Sequence, residues 1–200
     1  MNGYPFLDNK LQTLSDAVLG DIVRPARRSR LIDVSNSPWV AATELRAKLE
    51  NLLMAGELDS GLPILRRGVL VGLIPAPDLE YALDNVQDEG NSLCLMCIDH
   101  GISSAVSDDD EVDDDGTADR VDFTRFIDPV CHPFLPFLQE KFTDMHGEQA
   151  PISLDINSPI DLVYQCFAKL GLRYLCVLRD GRYAGLVHKK AFVKFLKEDE

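Results

Sequence analysis

One segment of this chain is written twice. Leu62, Leu65, Arg66, Gly68, Gly72, Leu73 and Leu83 recur as Leu175, Leu178, Arg179, Gly181, Gly185, Leu186 and Leu196, at a constant offset of 113 residues. Upstream, Asn36, Ser37 and Pro38 match Asn157, Ser158 and Pro159. A supersecondary unit present twice implies two units, each burying one face against the other. Such a plan suits binding or regulation more often than catalysis, although a fold alone never settles function.

The periodicities give each unit the order β-α-β-β-α. In the first, 30–34 reads as a strand and Ser37-Pro38 as a helix start. Leu45, Leu49, Leu52 and Leu53 then form an apolar stripe. Strands follow over 62–65 and 69–74 around a turn at Arg67 and Gly68, with a helix over 77–85. In the second, 152–156 is a strand, and Ile160, Val163, Phe167 and Leu170 line one side of a helix. Strands over 174–178 and 182–187 meet at Asp180-Gly181, a pair that tolerates positive φ at both positions of a tight hairpin. The closing helix covers 189–197.

The divisions expected are a leading linker over 1–29, a first unit over 30–90, an inter-repeat linker over 91–150 and a second unit over 151–200. In the leading linker Leu11, Leu14, Val18 and Ile22 suit a short amphipathic helix. Arg24, Arg27, Arg28 and Arg30 follow as a basic loop: a solvated connector, or a cationic patch for anionic lipid or for the acidic run. In the inter-repeat linker Phe123, Phe126, Pro129, Pro133, Phe134, Pro136 and Phe137 should pack on the core, with the prolines preventing long helices. Trp39 reads as a packing anchor between units at the start of a helix.

Charge narrows the partners. The chain carries 33 acidic and 20 basic side chains, a net charge of −13, which argues against nucleic acid. Eight of the acids lie within 107–119, and without them the balance is only −5. That run repels itself and buries no apolar surface, so it is expected to be disordered. No apolar run approaches the ~20 residues that span a bilayer, and 1–6 lacks the order of a signal peptide, so a soluble chain is expected. Five cysteines without a secreted framework suggest reduced thiols. Cys94 and Cys97, with His100, Cys131 and His132, have part of a zinc pattern, but no second Cys-x-x-Cys follows and the first pair sits in an apolar run. No nucleophile elbow, Gly-rich phosphate loop or His-Glu-x-x-His occurs, so no enzyme is expected.

These units resemble the CBS domain, through the β-α-β-β-α repeat with Gly61-Leu62-Pro63-Ile64 and Gly72-Leu73-Ile74. The opening phrase over 2–8, Gly171 to Leu175, and Val187 to Lys190 are similar to the cytoplasmic tail of eukaryotic CLC chloride channels and chloride/proton exchangers. The resemblance implies an α/β (α+β) fold of tandem CBS domains about a pseudo-twofold axis. It implies a regulatory module on the cytosolic face of a membrane (vesicle, vacuole, Golgi or plasma membrane), modulating chloride transport. The partners it implies are the transmembrane domain of the same protein and a second tail in a homodimer, joined through the helices beginning near Lys189 and Pro77. Channel and exchanger stay open alternatives. An enzyme-associated CBS pair is disfavoured by the opening phrase.

The resemblance also implies a site. Some relatives hold ATP, ADP or AMP in the inter-unit cleft, with adenine on an aromatic residue of the first unit and an Asp before the last helix holding the ribose. Here the aromatic position is Asp59 and the Asp position is Ala191, while Asp78 survives in the first unit beside Pro75. Losing the stacking ring costs about 1–3 kcal/mol and losing the carboxylate's hydrogen bond about 1.5–3 kcal/mol. The expectation is therefore no cofactor, with ATP, ADP and AMP disfavoured. The candidate contacts, should a nucleotide bind, are Asp33, Asp59, Ser60, Asp78, His188 and Lys189.

Overall fold

A computed structural model describes residues 16–23, 25, 27–57, 60–97, 118–129 and 152–198. The first unit comprises β1 (Ile32–Asp33), β2 (Trp39–Ala41), α1 (Ala42–Met54), β3 (Gly61–Arg66), β4 (Val69–Pro75) and α2 (Ala76–Asp84). From the segment after it come β5 (Ser92–Leu95), β6 (Asp119–Asp122) and β7 (Asp128–Pro129). The second unit comprises β8 (Ser153–Asp155), α3 (Ile160–Lys169), β9 (Tyr174–Arg179), β10 (Arg182–His188) and α4 (Lys189–Glu198). The expected β-α-β-β-α order is present in both.

The two central hairpins match. β3 and β4 pair antiparallel, with β1 parallel to β3 on the outside; β9 and β10 pair antiparallel, with β8 parallel to β9. Their turns match too. Arg67 and Gly68 have φ of 54° and 79°, and Asp180 and Gly181 have 51° and 75°. Two consecutive left-handed residues twist a hairpin the way its strands already twist. The strand starts are tied to the helix starts by equivalent bonds: Ala76 N–H donates to Ser60 O at 2.9 Å, and Lys189 N–H to Arg173 O at 2.9 Å.

Each unit has its own core. In the first, Leu45, Leu49 and Leu52 of α1 pack with Leu62, Ile64, Ile74 and Leu79. In the second, Ile160, Val163 and Phe167 of α3 pack with Leu175, Val177, Val187 and Phe192. A third cluster joins them: Leu65, Leu70, Leu73 and Cys176 are buried against Tyr174, Leu178, Tyr183 and Leu186. Leu65, Leu70 and Leu73 are the repeat equivalents of Leu178, Tyr183 and Leu186. Three pairs of equivalent positions thus lie in the seam, as a pseudo-twofold contact requires, while Tyr174 and Cys176 enter it without their equivalents Gly61 and Pro63.

Several expectations are corrected. Ser37-Pro38 does not start α1: Trp39–Ala41 is drawn into a sheet with β5, so the helix begins at Ala42. Trp39 pairs with Leu95 and lies under the Arg120 guanidinium at 5.3 Å, so it anchors the first unit's extra sheet and not the seam between units. Val18 and Ile22 do not lie on a helix. Val18 bridges Pro159 and only Leu19–Asp21 turns, as a 3-10 turn; Leu11 and Leu14 lie outside the described residues. Leu53 and Leu170 leave their stripes, at 36% and 48% exposure. Part of the segment read as linker belongs to the first unit: β5 and β6 extend β2, β7 extends β4, and Phe123 is buried. The acidic run up to Thr117, with Pro133, Phe134, Pro136 and Phe137, lies outside the described residues.

Candidate inter-unit cleft

A cleft lies where the two units and the leading segment meet. Its volume is about 220 Å³, and it is lined from the first unit by Leu52, Glu57, Ser60, Gly61 and Pro63. The second unit contributes Tyr183, Leu186, Val187, His188 and Ala191, and the leading segment contributes Ile22, Pro25, Arg27 and Arg30. Part of its floor is apolar because β10 turns the seam residues Tyr183 and Leu186 into it. Its rim carries two guanidinium groups, one carboxylate and one imidazole.

The polar groups are held by local bonds. Arg30 reaches Glu57 at 2.7 Å, with both side chains more than a third exposed, so the pair adds at most about 1 kcal/mol. Ser60 is only 3% exposed, and its N–H donates to Glu57 O at 3.0 Å. The Nδ1 of His188 accepts from Lys190 N–H at 3.2 Å, which leaves the ring proton of the neutral form on Nε2. Burial pushes the Tyr183 phenol well above its ordinary value, so it stays protonated and acts as an apolar wall with a hydroxyl tip.

Of the six candidates drawn from the resemblance, Ser60 and His188 line this cleft. Asp33 does not. Its carboxylate accepts from the Ser35 N–H at 3.0 Å and from the Ser35 hydroxyl, and these bonds hold its pKa below the ordinary carboxylate value. Lys189 opens α4 with its backbone tied to Arg173, and it is not among the lining residues. Asp78 sits in the first turn of α2, electrostatically coupled to Tyr174 and so on the side of the second unit's strand start. Asp59 lies outside the described residues.

Tyr174, electrostatically coupled to the candidate Asp78, is what the sequence reading missed. By the repeat offset Tyr174 is the equivalent of Gly61 and Asp78 the equivalent of Ala191. A ring and a carboxylate stand together on one side of the pseudo-twofold, and a glycine and an alanine on the other. The repeat itself carried the signal: comparing the halves position by position would have found it. Burial, with Asp128 and Asp78 nearby, raises the Tyr174 phenol to about 12. The thiols of Cys94 and Cys176 are buried, and desolvation is the chief cause that raises their pKa values to about 11 and about 12. Among the described residues no three ligating side chains converge for a metal, and no helix is long and apolar enough to cross a membrane.

No family model matches the chain. It is 23% identical over 202 residues to H(+)/Cl(-) exchange transporter 5 of Cavia porcellus, covering 99% of this chain and 23% of that protein. It is likewise 23% identical over 203 residues to H(+)/Cl(-) exchange transporter 3 of Homo sapiens, covering 99% of this chain and 21% of that protein. The chain thus spans less than a quarter of the length of these curated relatives. Among solved structures, the CBS domain of a bacterial CNNM/CorC family Mg2+ transporter in complex with ATP superposes with a TM-score of 0.50 at 16% identity, covering 92% of this chain and 89% of that one. The repeat, the shared seam and this superposition give the fold of a CBS domain pair, and nearly the whole chain is similar to a segment of H(+)/Cl(-) exchange transporters.

Proposed function

We propose that this CBS pair is the regulatory cytoplasmic module of a CLC-type chloride transporter, set against the transmembrane domain of the same protein and biasing its transport equilibrium through inter-unit and dimer contacts. The observation that carries this reading is the buried seam formed by equivalent positions of the two units. A seam of that kind lets a shift in one unit be felt in the other, which is what coupling between distant sites requires. The reading assigns no catalysis.

The test is a chimera. The segment of exchange transporter 5 that this chain matches is replaced by this chain, and proton-coupled chloride flux is measured with and without Leu73→Asp in the seam. The reading expects flux to change with the seam variant while the protein still reaches the membrane. Flux indifferent to a broken seam contradicts it.

A second reading has two observations in its favour. Arg27, Arg30, Ser60 and His188 ring the cleft with groups that suit phosphate oxygens, and the similar Mg2+ transporter domain was solved with ATP. Against it stand Ala191 and Asp59, at the positions where the resemblance implies a carboxylate and a ring. Titration calorimetry with ATP, ADP and AMP separates the readings: the first expects no one-to-one heat at micromolar ligand, and clear heat favours the second.

A further inference from the structure

The segment before the first unit is seated on the second. Leu19 is fully buried in the second unit's core with Ile156, Ile160 and Phe192. Leu19 N–H donates to Ser158 O at 2.9 Å, Gly20 N–H to Ile156 O at 2.8 Å, and Ile160 N–H donates back to Ala17 O at 3.3 Å. Val18 and Pro159 close an antiparallel bridge. The fit is close: a Cβ on Gly20 would lie 3.1 Å from Ile156 Cγ1 and 3.3 Å from Ile156 O. The chain then crosses to the first unit, where Lys48 Nζ donates to Arg28 O at 3.1 Å and Arg30 pairs with Glu57. On the way Ile22, Pro25, Arg27 and Arg30 form one wall of the cleft.

We propose that residues 17–23, 25 and 27–30 act as a strap that couples the two units: its seating on the second unit and the filling of the inter-unit cleft are linked equilibria. A load applied upstream of Ala17 therefore reaches the second unit before the first, although the first is nearer in sequence. Unseating Val18–Gly20 shifts the cleft wall, and a group filling the cleft acts back on the seat, because coupling between two sites is reciprocal. This inference rests on the regulatory reading above, to which it adds the element that carries the input.

The test uses the 200-residue chain and no ligand. Val18→Cys with Pro159→Cys places two thiols across an antiparallel bridge, where Cα atoms lie about 4.5–5.5 Å apart and a disulfide fits. Hydrogen exchange is compared in the oxidised and reduced forms of the same protein. Locking should slow exchange at Leu19 and Gly20, and also at Ser60, whose N–H lies in the opposite cleft wall, by about threefold or more. In a second variant, Ala191→Phe fills the cleft and should speed exchange at Leu19 and Gly20 by a similar factor. Should the cysteine pair not close, Gly20→Val, which crowds Ile156, supplies the same contrast in the opposite direction. Slowed exchange in the strap with Ser60 unmoved, or a strap indifferent to Ala191→Phe, overturns the proposal. No transport is measured, so this failure leaves the regulatory reading standing, and failure of the chimera leaves the linkage measurable.

Discussion

The amide of Tyr183 donates to the carbonyl of Gly68 at 3.0 Å, joining the second hairpin to the turn of the first. Tyr183 also packs in the seam and lines the cleft, so one residue touches both shared features of the two units. Replacing it by Phe keeps the ring and the backbone bond. We expect Tyr183→Phe to change stability by less than about 1.5 kcal/mol, whereas Tyr183→Ala loses a largely buried ring and costs about 3 kcal/mol or more. Urea denaturation of the two variants checks this.

Gly72 must stay glycine for a different reason. Its φ is ordinary, but a Cβ there would approach Ile127 Cγ2 to 2.6 Å, in the strand that pairs with β7. Gly72→Ala should cost about 1–3 kcal/mol through overpacking and loosen the β4–β7 pairing first. Hydrogen exchange at Asp128 and Leu73 reports where the loss begins.

Arg67 is the converse case, a side-chain residue with φ of 54°. Its second-unit equivalent is Asp180, a residue that tolerates this region better. Arg67→Asn should raise stability by up to about 1 kcal/mol, a rise in Tm of about 2–4 °C for a domain of this size. A thermal melt that falls by as much contradicts the account of the turn.

Alkaline pH should destabilise the protein. Cys94, Cys176 and Tyr174 have pKa values raised by burial to about 11, 12 and 12 from ordinary values of 9.0, 9.0 and 10.0. The folded state therefore holds protons that the unfolded chain has lost. Their stabilising effect is complete below pH about 9 and is lost as pH rises towards 12, at about 1.4 kcal/mol per group per pH unit while the two states differ. Urea midpoints between pH 8 and 11 should fall, and Cys176→Ala should flatten the fall.

Self-association is expected through α2 and α4, where Tyr81 is 62% and Val193 42% exposed. Both are large apolar groups left outside the cores. Tyr81→Asp and Val193→Asp should each weaken a dimer by about tenfold or more, since a buried charge without a partner is costly. Sedimentation over a range of concentrations reads this directly; association unchanged by both substitutions places the contact elsewhere.

The parts of the fold legible from sequence were those set by local chemistry. Asp180-Gly181 specified its hairpin because two adjacent residues had to take positive φ, and the apolar stripes of α1 and α3 specified helices because their spacing is local. The strap and the extra sheet were not legible, since they rest on pairing between distant segments: Val18 with Pro159, Trp39 with Leu95. The spacing of Leu11, Leu14, Val18 and Ile22 fits a helix, yet the open edge beside Pro159 outcompeted that preference at Val18. In the site, Ser60 and His188 follow from the family pattern. Asp33 is not among the lining residues and its carboxylate is bonded by Ser35, two residues on, and Arg27 and Arg30 reach the cleft because the strap crosses it.

The central claim is that the two units behave as one body through their shared seam. Trp39, the chain's one tryptophan, reports on the first unit, and the amides of Leu175 and Val177 report on the second. Urea unfolding is followed with both probes in the wild type and in Leu73→Ala, a fully buried seam residue whose truncation should cost about 2–5 kcal/mol. The account predicts coincident transitions in both proteins, with both midpoints falling together in the variant. A Trp39 transition that shifts while Leu175 and Val177 keep their wild-type midpoint would contradict it.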